Sequence, residues 1–173
     1  MLPTQFYFDL VSPYSYLASH QLDRLKLDLQ REDWQPIDIE VIWTALGLME
    51  AYSAVRNVKR RYIARDSQRC ARALGIPLTR PTTRDTKLAK PAYWGLRSYD
   101  RQLAEQFLRA AWRAHFSGSP IGSSQELAAA AGLGLQPDAI EAAAQSAEAR
   151  QAQDASNAAA IGLGCIRCSL VRR

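Results

Sequence analysis

The residues best equipped to do chemistry stand near the start of the chain, in Ser12-Pro13-Tyr14-Ser15. Before them, Phe6, Phe8 and Leu10 alternate with Gln5, Tyr7 and Asp9, the period of a strand, with Tyr7 making both faces aromatic. After them, Leu17, Gln21, Leu22, Leu25 and Leu29 recur at helical spacing. Pro13 suits a first helical turn, and Ser12 or Ser15 can cap it. A hydroxyl at such a turn, backed by the positive end of a helix dipole, can hydrogen-bond an anion and stabilise it. The same four residues also make an ordinary turn with an N-cap, and the tetrapeptide alone leaves both readings open.

Two other patterns carry chemical suggestions. Cys165-Ile166-Arg167-Cys168 has the C-x-x-C spacing of redox and zinc sites. A closed zinc site takes four ligands, however, no second pair exists, and His20 and His115 fall in predicted helices. Incidental thiols are therefore preferred there. The stretch Arg56, Lys59, Arg60, Arg61, Arg65, Arg69, Arg72 places Arg61, Arg65, Arg69 and Arg72 at helical spacing. With Asp66 read as an interruption, a solvated basic face is preferred to a nucleic-acid stripe.

These residues need elements to hold them. Ile37-Asp38-Ile39-Glu40-Val41-Ile42-Trp43 alternates and predicts a second strand, with Gln35-Pro36 ending a polar connection. Strand, helix, strand is a βαβ unit, whose parallel strands need such a crossover. Beyond Trp43 the pattern is nearly all helical. A basic helix is predicted over 58–74 and stops at Gly75-Ile76-Pro77; 78–92 reads as loop. Ala104, Phe107, Leu108, Ala111, Trp112 and His115 mark an amphipathic helix ended by Gly118-Ser119-Pro120. Ser123-Ser124-Gln125-Glu126 is a capping-box start for a short helix closed by Gly132. Pro137-Asp138 starts another, which the Ala-rich stretch continues to Ile161. Trp43 and Trp112 read as core or pocket lining.

At 173 residues, without a repeat or a long linker, a single domain over 1–173 is expected. Hydrophobic residues at 47% and charged residues at 23% argue against disorder. No apolar run approaches the roughly 18–20 residues of a membrane span, and Met1–Gln5 lacks the pattern of a secretory signal. Three Cys point to a reducing, cytoplasmic setting. The formal charge of +5 favours anionic partners.

The segment Phe6-Tyr7-Phe8-Asp9-Leu10-Val11-Ser12-Pro13-Tyr14-Ser15-Tyr16-Leu17-Ala18 resembles the opening of the 2-hydroxychromene-2-carboxylate isomerases. These group with the kappa-class glutathione transferases. A second matching block is Lys59-Arg60-Arg61-Tyr62, Asp66, Arg69 and Gly75-Ile76-Pro77-Leu78. Ala111-Trp112 and the region from Ile140 to Ile161 also match, so the likeness covers roughly residues 5–163. The resemblance implies an α/β fold: a thioredoxin-like βαβ unit with a helical insertion at about 45–161. Redox members of that fold carry C-x-x-C where this chain has Ser12-Pro13-Tyr14-Ser15, and serine forms no disulfide.

The implied chemistry is a cis–trans isomerisation of an anionic aromatic-degradation intermediate. Glutathione supplies the thiolate, which Ser12 stabilises without itself being the nucleophile. Ser12 and Pro13, with Lys59 toward the anionic end, are the implied cofactor-binding residues; a homodimer is compatible with the family. Glutathione transfer and a glutathione-independent binding module are the alternatives.

The end of the chain departs from the pattern. The resemblance implies a proline turn, a β-hairpin and a final helix after the insertion. Residues 165–173 instead form an atypical tail, so the chain reads as C-terminally truncated, a candidate for an inactive fragment. One choice of codons for Cys165–Arg173, read one base later, encodes Ala-Phe-Gly-Ala-Pro-Trp-Phe-Val, the implied segment; a frameshift is the reading, and resequencing tests it. The family's Gly-Asn after the second strand is also changed, Gly47 being followed by Leu48, with Asn57 the candidate replacement.

Overall fold

The computed structural model describes residues 5–22, 33–83, 85–165 and, for the backbone, 169–172. Leu25, Leu29, Arg167, Cys168 and Arg173 lie outside the described residues. The described residues cluster into two compact units, 1–78 with 156–173, and 79–155.

In the first unit, β1 (Gln5–Phe8) is the central strand of a three-stranded sheet. It pairs in parallel with β2 (Asp33–Pro36), Gln5 opposite Asp33, and antiparallel with β3 (Ser169–Arg172), Gln5 opposite Arg172. The aromatic residues on both faces of β1 follow from its central position. Phe6 and Phe8 stack at 5.1 Å, and Trp34 meets both edge-on at 5.4 and 5.3 Å. Tyr7 faces the other way, into a cluster with Ile37, Ile39, Ile42, Ala160 and Cys165. A strand buried on both faces does not show the alternation of a half-exposed one.

Three sequence expectations are corrected in this unit. The predicted strand 37–43 is instead helix α2 (Ile39–Ala45), and the strand is the preceding segment, in place of the polar connection. Asp38 caps α2 by accepting from the Glu40 amide. Ile39 and Ile42, one helical turn apart, are buried, whereas Val41, inward on a strand reading, is 47% exposed. Second, α3 (Met49–Leu74) starts nine residues earlier than predicted and runs straight through Asp66. Asp66 bonds Arg69 one turn on, so it supports the helix it was expected to interrupt. Third, the atypical tail contributes β3, so the sheet does not stop at two strands. Gly75 ends α3 in the left-handed conformation, φ 67°, which glycine adopts at least cost.

The second unit holds α4 (Ala89–Arg97), α5 (Arg101–Ser117), α6 (Ser124–Ala131), α7 (Pro137–Gln145) and the start of α8 (Ala147–Gly162). The capping box at Ser123 and Glu126 is present, as the spacing predicted, and Pro137 opens α7. The end of the expected loop, from Ala89, is already α4. The Ala-rich stretch is two helices, because Ser146 is extended (ψ 152°) and its hydroxyl accepts from the Ala149 amide, starting α8. Trp112 is core at 1% exposure. Gly95 has a packing role: a Cβ there would sit 2.0 Å from the Ala143 carbonyl oxygen, so α4 and α7 cross where no side chain fits.

Candidate functional site

The turn after β1 is built by Asp9. Its buried carboxylate accepts from the Val11 amide (Oδ1, 3.3 Å) and from the Ile39 amide (Oδ2, 3.0 Å), and its carbonyl accepts from the Ser12 amide at 3.0 Å. One side chain thus folds the turn and ties it to the start of α2. Sequence reasoning gave Asp9 no role, although an Asp that turns the chain onto the amide two residues on is a familiar local signal.

Ser12 is the cap of α1 (Pro13–Leu22). It is 5% exposed, and its Oγ accepts from the Ser15 amide at 3.2 Å while its carbonyl accepts from Tyr16. Of the two expected caps, Ser12 fills the role, and Ser15 is the residue capped. The Ser12 hydroxyl proton has no acceptor among the described residues. Pro13 has no N–H to offer, so the next amide donor is Tyr14, which also meets no acceptor there. The turn therefore presents one hydroxyl and one amide donor at a helix N-terminus.

The Tyr14 side chain crosses to α3, where its hydroxyl donates to Asp66 Oδ2 at 2.8 Å. Arg69 grips the other oxygen of Asp66 through Nε at 3.2 Å and Nη2 at 2.8 Å. Burial first, then the hydrogen bond and charge of Asp66, push the Tyr14 hydroxyl well above its usual range. The Arg69 bonds, then Tyr14, hold the Asp66 carboxyl below its own. Tyr14 is consequently a fixed donor and Asp66 a fixed carboxylate.

Asp66 and Arg69 also line an open groove of about 470 Å³ along α3, with Val58, Arg61, Tyr62 and Arg65. Lys59 lies seven residues from Asp66, about 10 Å along the helix. Its ammonium sits over the rings of Trp43 (5.5 Å) and Tyr52 (5.1 Å), which pack 4.1 Å apart. The structure therefore groups Ser12, Pro13 and Tyr14 in one turn, while Lys59 belongs to an aromatic cluster further along α3. Asn57 is exposed on the same helix, and Gly47 takes φ 68° before Leu48.

His20 packs against Tyr16, and His115 is buried beside Phe116. Cys165 is buried and Cys70 half-buried. Among the described residues no group of three or more His, Cys, Asp or Glu could hold a metal, and no helix is long and apolar enough to cross a membrane.

A parallel β1–α1–β2 unit, an antiparallel third strand and a mainly helical intervening segment define a thioredoxin-type fold, with serine in the strand-to-helix turn. The chain belongs to the DSBA-like thioredoxin domain family, whose model matches residues 4–166. Over 83 residues it is 35% identical to the 2-hydroxychromene-2-carboxylate isomerases of Pseudomonas putida and of Pseudomonas sp. (strain C18). Each match covers 47% of this chain, and 41% and 39% of those relatives respectively, so the chain aligns with about two fifths of their length. The solved structure of a 2-hydroxychromene-2-carboxylate isomerase superposes with a TM-score of 0.80 at 24% identity, covering 98% of this chain and 84% of the other. That likeness is one of fold.

Proposed function

We infer that this protein is a glutathione-dependent cis–trans isomerase acting on an anionic, conjugated aromatic-degradation intermediate of the 2-hydroxychromene-2-carboxylate kind. The observation that carries the reading is the buried Ser12 hydroxyl. It caps α1 through its acceptor lone pair and keeps its proton for a ligand.

That donor set fits a thiolate. The Ser12 O–H and the Tyr14 N–H both donate, both sit at the positive end of α1, and no carboxylate competes for them among the described residues. When bound, glutathione would supply a nucleophilic sulfur for reversible addition to a conjugated double bond. The chain's own residues hold and acidify that sulfur. Ser12 is the donor to the sulfur and not the attacking group. Pro13 sets the first turn of α1 and, having no N–H, leaves Tyr14 as the next amide donor. In the α3 groove, Arg61 and Arg65 offer charge for a substrate carboxylate, and Val58 and Tyr62 offer apolar surface for its ring. Lys59, fixed over Trp43 and Tyr52, supplies a further positive charge on that helix toward the anionic end of the ligand.

The test is calorimetric titration with glutathione, a pH titration of the bound thiol by its ultraviolet absorbance, and turnover of 2-hydroxychromene-2-carboxylate. A hydrogen bond to a charged acceptor contributes about 1.5–3 kcal/mol, or one to two pKa units. Ser12→Ala is expected to raise the bound thiol's pKa by that amount and to slow isomerisation about 10- to 100-fold without unfolding the protein. Equal turnover by Ser12→Ala and the unmodified protein removes Ser12 from the mechanism. Absence of glutathione binding to the unmodified protein removes glutathione.

A further inference from the structure

The link between α1 and α3 has a feature that packing alone does not require. Tyr14 stands two residues from Ser12 and carries the second donor of the turn on its own amide. Its hydroxyl reaches a carboxylate 52 residues away along the chain, at 2.8 Å. That carboxylate is oriented from its other side, where Arg69 donates to the second oxygen through two N–H groups, at 3.2 and 2.8 Å. Tyr62 and Cys70 are further titratable groups beside the pair, and Arg61 and Arg65 line the same groove. The Cys70 sulfur lies 4.0 Å from Asp66 Oδ2 and 3.7 Å from Arg69 Nη2. With Tyr14 protonated and Asp66 ionised, the bond has one polarity only, hydroxyl to carboxylate.

A helix N-terminus directs its amides only as well as its first turn is anchored. Here the turn is held from two sides. Asp9 holds it from the β1 side through Val11 and Ser12, and Asp66 holds it from the α3 side through Tyr14. We propose that Asp66 is a positioning residue: through the Tyr14 hydroxyl it holds the first turn of α1 so that the Ser12 O–H and Tyr14 N–H converge on one sulfur. This rests on the glutathione reading above. Asp66 acts here through the Tyr14 hydroxyl and not on the sulfur itself, and Arg69 keeps it oriented.

The experiment compares Asp66→Ala, Asp66→Asn, Tyr14→Phe and the Asp66→Ala/Tyr14→Phe double variant with the unmodified protein. The readouts are the pKa of the bound glutathione thiol, glutathione affinity, and the backbone amide NMR shift of Ser15 without ligand. Asp66→Ala and Tyr14→Phe are each expected to leave about tenfold less thiolate at a fixed pH below the thiol's pKa, a rise of one unit. The double variant should go no further, because both changes break one bond. Asp66→Asn keeps one oxygen, for which Tyr14 and Arg69 compete, and should restore part of the lost acidity. The Ser15 amide should move in the Ala and Phe variants and return part of the way in the Asn variant.

A thiol pKa unchanged in Asp66→Ala and Tyr14→Phe, with glutathione still bound, overturns the positioning role and leaves the glutathione reading standing. Additive effects in the double variant overturn it as well. A bound thiol of ordinary acidity in the unmodified protein, or no binding at all, overturns the glutathione reading and this role with it. Should Asp66→Ala not fold, Tyr14→Phe, which removes one oxygen and keeps the ring, decides alone.

Discussion

Replacing Asp9 with alanine tests whether this one carboxylate builds the turn that presents Ser12. The side chain is 1% exposed and accepts two amide hydrogen bonds. The bond from Val11, at 3.3 Å, is long, and Val11 is half-exposed, so water can replace most of it. The bond from Ile39, at 3.0 Å, lies in buried surroundings, and its loss leaves an amide with no partner at the start of α2. Loss of the Ile39 bond to a charged acceptor, its amide left orphaned, costs about 1.5–3 kcal/mol and the weaker Val11 bond adds about 0.5–1 kcal/mol, so the loss should fall near 2–4 kcal/mol. For a chain of this size that lowers the melting temperature by roughly 5–15 °C. Urea unfolding followed by tryptophan fluorescence and circular dichroism measures it directly; Trp34, packed on β1, reports the sheet. Asp9→Asn keeps one acceptor oxygen and should lose about half as much. Since the turn also orients Ser12, glutathione affinity should fall in parallel with stability. A change within about 0.5 kcal/mol in Asp9→Ala, the range of ordinary surface substitutions, would refute the assignment.

Two further outcomes are expected. Gly95→Ala gains about 1 kcal/mol of helix propensity but sets a Cβ 2.0 Å from a backbone oxygen, so α4 and α7 must separate. Overpacking of that kind costs about 1–3 kcal/mol or more, so thermal unfolding should come several degrees lower; a higher melting temperature contradicts the close crossing. The Tyr14–Asp66 bond should make stability depend on pH at both extremes. Asp66 is depressed in the folded state, so its contribution is full above its ordinary value of 3.8 and fades as pH falls through the lower folded value. Tyr14 is raised, so its contribution is full below its ordinary value of 10.0 and fades as pH climbs toward the higher folded value. The stability difference between the unmodified protein and Tyr14→Phe should therefore be flat between these limits and shrink outside them; a difference that grows in acid or in alkali contradicts the assignment.

The sequence by itself determined what depends on a few neighbouring residues. Ser123 with Glu126, Pro137, and the glycines at 75, 118 and 132 mark helix ends, because capping and left-handed turns are settled within one turn of chain. Ser12 was legible on the same grounds, as a hydroxyl at a strand-to-helix turn, and its neighbours carried the family resemblance. The segment 37–43 was not. Ile37-Asp38-Ile39-Glu40-Val41-Ile42-Trp43 satisfies the strand period while also placing Ile39 and Ile42 on one helical face, so local pattern cannot choose. Tertiary bonds decide it. Asp9 takes the Ile39 amide, Asn157 takes the Asp38 amide at 2.8 Å from 119 residues away, and Ser156 donates to the Pro36 carbonyl at 3.0 Å. Those bonds end β2 at Pro36 and start α2 three residues later. Likewise the tail becomes a strand only because β1 has an open edge to pair with, and Tyr14 and Asp66 become one device only because α1 is brought against α3. Strand pairing and cross-helix hydrogen bonds join distant residues, and no local period encodes which of them will meet.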